Sequence, residues 1–333
     1  MRNFVDQPEV AMEQEPSNIE QAGVLPAPGG QVRRRRLGRT RMSVSEIGLG
    51  GAWLLGRRGG GNLASGERIV NRALELGVNY IDTAECYIGG RSERLVGGGL
   101  ARAAVARDTY LLATKFGHLP EAFDFSADSV VSSLRRSLKA LGVDRVDVLQ
   151  VHTPPEPPWD LLAGPGGAFA GMRRAKEEGL ARFLGVTGAD VGFLVRSIDT
   201  DLFDTALVFR HFNAVDQSAA AVLRTAVDHD TAVIVGGPLR GGLLGSARDT
   251  VRADVAPVFR RRAEAVESLA AESGMSPAEL ATRFVLTHDA VACSLSGPAT
   301  VDELEDSLTA AEHGPLPPDL MAAIDEVGGG ADA

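Results

Sequence analysis

The chain has 333 residues, of which 44% are hydrophobic and 23% charged, and its formal net charge is -10. That is ordinary globular composition, and the negative balance argues against nucleic acid as a partner. Two cysteines, Cys86 and Cys293, stand far apart without metal-ligand spacing, which excludes a disulfide framework and suits a reducing compartment. No apolar run is long enough to span a membrane, and the acidic, polar amino terminus lacks a secretory pattern, so a cytoplasmic protein is expected.

Residues 1–31 carry scattered Pro, Glu, Gln and Gly with no period and read as a flexible leader. Residues 32–333 are expected to form one domain. Val32 to Ile47 holds two short polar-apolar segments around Gly38-Arg39-Thr40, the pattern of a small hairpin that could plug one end of a barrel. The run Arg33 to Arg36 just before it reads as a solvated edge.

A rhythm of β-branched and apolar runs follows. They fall at Ile47–Gly51, Asn79–Thr83, Tyr110–Lys115, Val146–His152, Phe183–Gly188, Thr205–Asn213, Thr231–Gly237 and Ala292–Gly297. Helical stretches alternate with them. In Asp128–Leu141 the residues Val130, Leu134, Leu138 and Leu141 make one apolar stripe. Further helical segments are predicted at 66–76, 171–178, 192–198, 219–227, 260–271 and 300–308, the last opened by a capping box of Thr300 and Glu303. Eight strands alternating with helices predict a (β/α)8 TIM barrel. An open doubly wound sheet would need an early Gly-x-Gly-x-x-Gly turn, and Gly48-Leu49-Gly50-Gly51-Ala52-Trp53 does not match it. The long stretch from Pro238 to Val291 contains Gly241-Gly242-Leu243-Leu244-Gly245, which reads as a binding loop.

The polar residues at the ends of the second, third and fourth strands are Asp82 with Tyr87, Lys115, and His152. In a barrel these converge on one rim, where chemistry resides. A phenol is a weak acid, and a nearby ammonium favours its ionised form. A carboxylate would hold that ammonium charged, and a neutral imidazole can bind a carbonyl oxygen. Such a group suits proton transfer to oxygen while carbon receives a hydride. No side chain donates hydride, so a nicotinamide is implied.

The sequence resembles the aldo-keto reductases over about Arg36 to Leu308. The resemblance rests on Leu37-Gly38-Arg39-Thr40, Ile47-Gly48-Leu49-Gly50, Tyr80-Ile81-Asp82-Thr83-Ala84 with Tyr87, Ser92-Glu93 and Gly97. It continues through Ala113-Thr114-Lys115, Ser137-Leu138, Leu141-Gly142, Asp144-Arg145-Val146-Asp147, His152, Gly185-Val186, Phe212-Asn213 and Pro238-Leu239. It implies an NAD(P)(H)-dependent oxidoreductase interconverting a small-molecule carbonyl and its alcohol. Tyr87 would be the general acid/base, Lys115 its tuning group, Asp82 the partner of Lys115, and His152 the carbonyl-orienting residue.

On the cofactor side the resemblance points to Thr187, Gly188, Phe209, Gly236, Pro238, Leu239, Arg240, Gly241, Gly297, Glu303 and Ser307. Several depart from family habit. Thr187-Gly188 replaces Ser-Asn, Phe209 stands where a glutamine is usual, and Gly236 stands where many members stack an aromatic ring. Phe209, Phe212 or Trp53 could supply a shifted ring. Leu295 to Thr300 is neutral, and Glu303 occupies a position where many NADPH users have Arg. NADPH follows from family habit and NADH from these local residues.

The substrate pocket is expected from Trp53, Tyr87, His118, Trp159 and Phe212, with Trp159 alternatively a shield over a helix. Arg57 or Arg58 could meet an acidic substrate or simply be solvated. Two rival functions stay open: a non-catalytic nicotinamide-binding or regulatory barrel, and an enzyme that uses transient oxidation for elimination or epimerisation. Nothing in the sequence indicates an oligomeric state.

Overall fold

The alternation of apolar strands and amphipathic helices closes, in a computed structural model, into a barrel of eight parallel strands. The structure describes residues 32–56, 60–103, 105–118 and 123–329; the expected leader and Arg57 and Arg58 lie outside them. The described chain opens with β1 (Arg34–Arg36) and β2 (Ser43–Ser45), then β3 (Ile47–Gly50), α1 (Leu63–Glu75), β4 (Tyr80–Asp82), α2 (Ser92–Ala103), β5 (Leu111–Phe116) and α3 (Ala127–Leu141). Next come β6 (Val146–His152), α4 (Trp159–Ala163), α5 (Ala168–Glu177), β7 (Ala181–Gly188), α6 (Val191–Ile198), β8 (Thr205–Phe209), α7 (Ala220–Asp228) and β9 (Ala232–Gly236). The end of the chain holds α8 (Arg248–Val251), α9 (Pro257–Glu272), α10 (Pro277–Thr287), β10 (Val291–Ser296), α11 (Val301–Glu312) and α12 (Pro318–Gly328). Strands β3 to β10 pair in sequence order, and β10 closes on β3.

The predicted hairpin is present as the antiparallel pair β1–β2. Its Leu37 and Val44 are fully buried against Tyr80, Leu111, Ala113, Val148 and Ile234, the inward residues of the barrel. The hairpin therefore stoppers one end. A second, larger core lies between the strands and the surrounding helices. Helix α3 shows how the local sequence builds it. Ser126 caps the first turn by accepting the Ser129 N–H, Val130, Leu134, Leu138 and Leu141 are buried, and Gly142 ends the helix at φ 71°.

Helices α2, α10 and α12 were not expected from sequence. In α2 the cause is Gly97-Gly98-Gly99, which lowers helix propensity. A Cβ on Gly97 would sit 2.6 Å from the Leu141 carbonyl oxygen, and one on Gly99 2.6 Å from Val70 Cβ. Close packing against the neighbouring helices requires the glycines and overrides propensity. The stretch after β9 has Gly241 to Gly245 outside its α-helices and then carries α8, α9, which contains the predicted 260–271 helix, and the unexpected α10. Among the described residues no helix is long and apolar enough to cross a membrane.

Candidate active site

Side chains alternate along a strand, so Asp82 follows Tyr80, Lys115 follows Ala113, and His152 follows Gln150 and Val148 on the inner face. Register brings these ends together: Asp82 pairs with Ala113, Lys115 with Gln150, and His152 with Thr187. The parallel strands all finish at the rim opposite the hairpin, and Tyr87 enters from the loop after β4.

Lys115 is 1% exposed and Asp82 2%. The Lys115 ammonium donates to Asp82 Oδ1 and, at 2.9 Å, to the Thr83 carbonyl. The other carboxylate oxygen of Asp82 accepts from Gln150 Nε2 at 2.6 Å. Lys115 Nζ lies 4.8 Å from the centre of the Tyr87 ring. The Tyr87 and His152 rings meet edge to face at 5.8 Å.

The electrostatics separate these groups. Burial opposes the charge on Lys115, but Asp82 and then Tyr87 outweigh it and hold the ammonium above its usual pKa. For Tyr87 burial is the largest influence and pushes the phenol up, and the pull of Lys115 only partly offsets it. The expectation that Lys115 lowers this phenol holds for direction of pull but not for the balance. Tyr87 is a protonated phenol at neutral pH. Burial, followed by the charges of Lys115 and His118, pushes His152 down to about 3, so its imidazole is neutral.

Two neighbours in this group were missed. Gln150 is polar in an apolar strand and two residues from His152, so alternation alone places it on the inner face. A Cβ on Gly185 would lie 2.8 Å from Gln150 Cγ, so that glycine makes room for the amide. Cys86, whose Sγ is 3.6 Å from His152 Nδ1, had no sequence signal beyond its position beside Tyr87.

A cavity of about 650 Å³ opens beside Asp82 and Tyr87 and reaches the gap between α10 and α11. Of the expected cofactor contacts, Phe209, Gly236, Pro238, Leu239, Gly241, Gly297, Glu303 and Ser307 line it. Thr187, Gly188 and Arg240 are not among the described lining residues. Thr187 is buried with its carbonyl accepting from the Thr153 hydroxyl at 3.1 Å. A Cβ on Gly188 would lie 2.4 Å from that same hydroxyl, so an asparagine has no room there. Arg240 is engaged by Asp216 and the Arg210 carbonyl, both at 2.7 Å, and by the Phe259 ring at 3.4 Å.

The expected substrate contacts divide in the same way. Trp53 lines the cavity, and a Cβ on Gly297 would lie 2.9 Å from its indole. His118 sits beside His152, ring centres 5.3 Å apart, and stacks on Phe123 at 4.6 Å. Trp159 packs on Phe169 and Phe193 and beneath Arg196, which makes it a shield over helices and not a pocket wall. Phe212 is 2% exposed against Phe284 and His288, in the core.

The ring missing at Gly236 has a neighbour in its place. Phe209 pairs with Gly236 across β8 and β9, lines the cavity and is 41% exposed. Glu303 is held from two sides: Oε1 accepts from the Ser246 hydroxyl at 2.6 Å and Oε2 from the Ala299 N–H at 2.7 Å. The expected capping box is thus shifted by one residue, although Thr300 Oγ1 still accepts the Glu303 N–H. Arg210 is the one basic side chain among the described lining residues, against Asp82, Glu279, Glu303 and Asp306.

A (β/α)8 barrel with buried ionisable groups at its carboxyl rim defines a class of barrel enzymes. The model of the aldo/keto reductase family matches residues 46–328, and the chain belongs to that family, whose members are oxidoreductases of small carbonyl or alcohol compounds. It is 28% identical over 283 residues to an L-galactose dehydrogenase of Arabidopsis thaliana, covering 84% of this chain and 88% of that protein. It is 31% identical over 280 residues to a 6-dehydroglucose reductase of Novosphingobium aromaticivorans, covering 77% and 83%. The solved holo form of an aldo-keto reductase from Bacillus halodurans superposes with a TM-score of 0.73 at 23% identity, over 89% of this chain and 96% of that one.

Proposed function

We propose that the protein interconverts a small carbonyl compound and its alcohol with a nicotinamide cofactor, Tyr87 being the general acid/base. The observation that carries this reading is the buried ammonium of Lys115, held between the Asp82 carboxylate and the Tyr87 ring. Burying that pair is costly, and a role in setting the proton affinity of Tyr87 accounts for it.

The cavity fits a dinucleotide. Its lining runs from Asp82 and Tyr87 through the Phe209 ring beside Gly236 to the glycine-rich segment at Gly241, Gly242 and Gly245. When bound, the nicotinamide supplies or accepts the hydride. Tyr87 gives its hydroxyl proton to the substrate oxygen in reduction and recovers it in oxidation. Lys115 stabilises the phenolate that results, and Asp82 keeps Lys115 charged. Neutral His152 hydrogen-bonds the carbonyl oxygen and fixes its position.

Glu303 and Asp306 on α11 line the cavity with Arg210 as the one basic side chain among the described lining residues, which disfavours the additional phosphate of NADPH, so NADH is the preferred cofactor. The names of the two relatives above refer to sugars, and a small hydroxylated carbonyl compound is the substrate class we assign. Tyr87→Phe is expected to lower turnover of such substrates by at least about a thousandfold while leaving NADH binding, followed by nicotinamide fluorescence, within about twofold. Turnover within tenfold of the parent would refute the mechanism.

A further inference from the structure

Cys86, His118 and His152 place one sulfur and two imidazoles beside Tyr87, with their ligand atoms all within 4.8 Å of one another. They come from three segments: the loop after β4, the residues just past β5, and the end of β6. All three are half-buried, open enough for an ion to reach and packed enough to be held. His118 is further fixed by its stack on Phe123 at 4.6 Å and by a backbone bridge to the same residue.

The donor set and the spacing point to one kind of ligand. Thiolate with imidazole suits zinc-class ions and not magnesium or calcium, which take oxygen. Zn–S bonds of about 2.3 Å and Zn–N bonds of about 2.0–2.1 Å in a tetrahedron require S···N near ~3.6 Å and N···N near ~3.3 Å. Cys86 Sγ and His152 Nδ1 already stand 3.6 Å apart. Even the widest pair needs to close by only roughly 1.5 Å, a shift that rotation of the His118 ring spans.

We propose that Cys86, His118 and His152 form a site for a zinc-class divalent cation, and that its occupation shuts off the active site. On binding, the Cys86 S–H bond is replaced by a sulfur–metal bond and the proton leaves to solvent, with no change of oxidation state. Three protein ligands leave the fourth position to water. The thiolate formed offsets part of the incoming charge, and the nearest cation, Lys115, is already paired with Asp82. The inhibition rests on the role proposed above for His152, since the ion and its bound water would occupy the space beside His152 and Tyr87 that the carbonyl must enter. The binding of the ion does not rest on it.

The test is titration of the chelator-treated full chain with cobalt(II), read by absorption, and with zinc, read by turnover. One equivalent of cobalt is expected to produce a sulfur-to-cobalt charge-transfer band and visible bands of tetrahedral intensity, both displaced by zinc. Zinc is expected to inhibit in competition with the carbonyl substrate, reversibly with chelator, while magnesium does nothing. Cys86→Ser and His118→Gln, each checked for folding by circular dichroism, are expected to lose the cobalt bands. Their inhibitory zinc concentration should rise about tenfold or more, each measured against the variant's own metal-free rate. Absence of the sulfur band in the parent, or zinc inhibition unchanged in both variants, overturns the site. The band without zinc inhibition overturns the shut-off. A chain that binds cobalt in this way yet turns over no carbonyl supports the site and counts against the catalytic reading instead.

Discussion

Replacing Asp82 by Asn tests the electrostatic core of the site. The change keeps shape and can still accept from Gln150, but it removes the charge that holds the Lys115 ammonium. Burial is the largest influence on Lys115 and opposes its charge, so without Asp82 the balance shifts toward the neutral amine. Tyr87 then loses a cation 4.8 Å from its ring. One unit charge acting on another at that distance, across an effective dielectric of about 20, is worth ~3.5 kcal/mol, or a few hundredfold in rate. Steady-state kcat of Asp82→Asn is expected to fall by that factor at neutral pH. It should recover partly as the pH is lowered, because protons restore the ammonium. Breaking a buried ion pair costs ~3–5 kcal/mol, and deprotonation of Lys115 relieves part of this, so thermal unfolding should move to lower temperature by several degrees. A kcat within tenfold of the parent at pH 7, in a folded variant, refutes the argument.

Glu303→Lys is expected to shift the ratio of NADPH to NADH affinity toward NADPH by roughly 10–100-fold, read by parallel fluorescence titrations; an unchanged ratio removes Glu303 from cofactor choice. Arg240→Ala strips the buried Asp216 of its cation and should destabilise the protein by ~3 kcal/mol in urea unfolding, with NADH affinity unaltered. For Asp216, burial opposes ionisation, but hydrogen bonds from His211 and Ser218 and the charge of Arg240 outweigh it and hold the carboxyl far below its usual value. Its stabilisation is therefore complete above the unfolded value near ~3.9 and is lost as the pH falls below it, so the stability gap to Asp216→Asn should shrink on acidification. Trp159→Ala removes a half-buried ring from the Phe169–Phe193 cluster and should cost ~2–3 kcal/mol without altering KM.

The fold was legible because the period of the pattern is a direct print of the architecture. The continuous apolar run at 232–236, and the mostly apolar one at 146–152 that admits Asp147, Gln150 and His152, mark strands covered on both faces, and the α3 stripe marks a helix lying on them. The convergence of Asp82, Lys115 and His152 was legible for the same reason: each terminates such a run, and parallel strands share one rim. The cofactor side was harder to read because side-chain direction in loops has no period. Arg240 looked free to meet a phosphate, yet Asp216 and Phe259 hold it from elsewhere in the sequence. Trp159 and Phe212 could not be told from pocket walls, since an aromatic ring packs equally well against a core or a ligand. The hydrogen bond that Ser246 donates to Glu303 crosses 57 positions of sequence and is visible only in three dimensions.

The pairing of Phe209 with Gly236 bears on how this chain can change by single steps. A Cβ at 236 would lie 3.1 Å from Leu207 and 3.4 Å from the Phe209 ring, so any side chain there presses on Leu207 and touches that ring. Removing Phe209 first leaves the cavity with no ring from either strand. Rings at 209 and 236 would share one wall of the cavity, so the effect of a substitution at either position is expected to depend on what stands at the other.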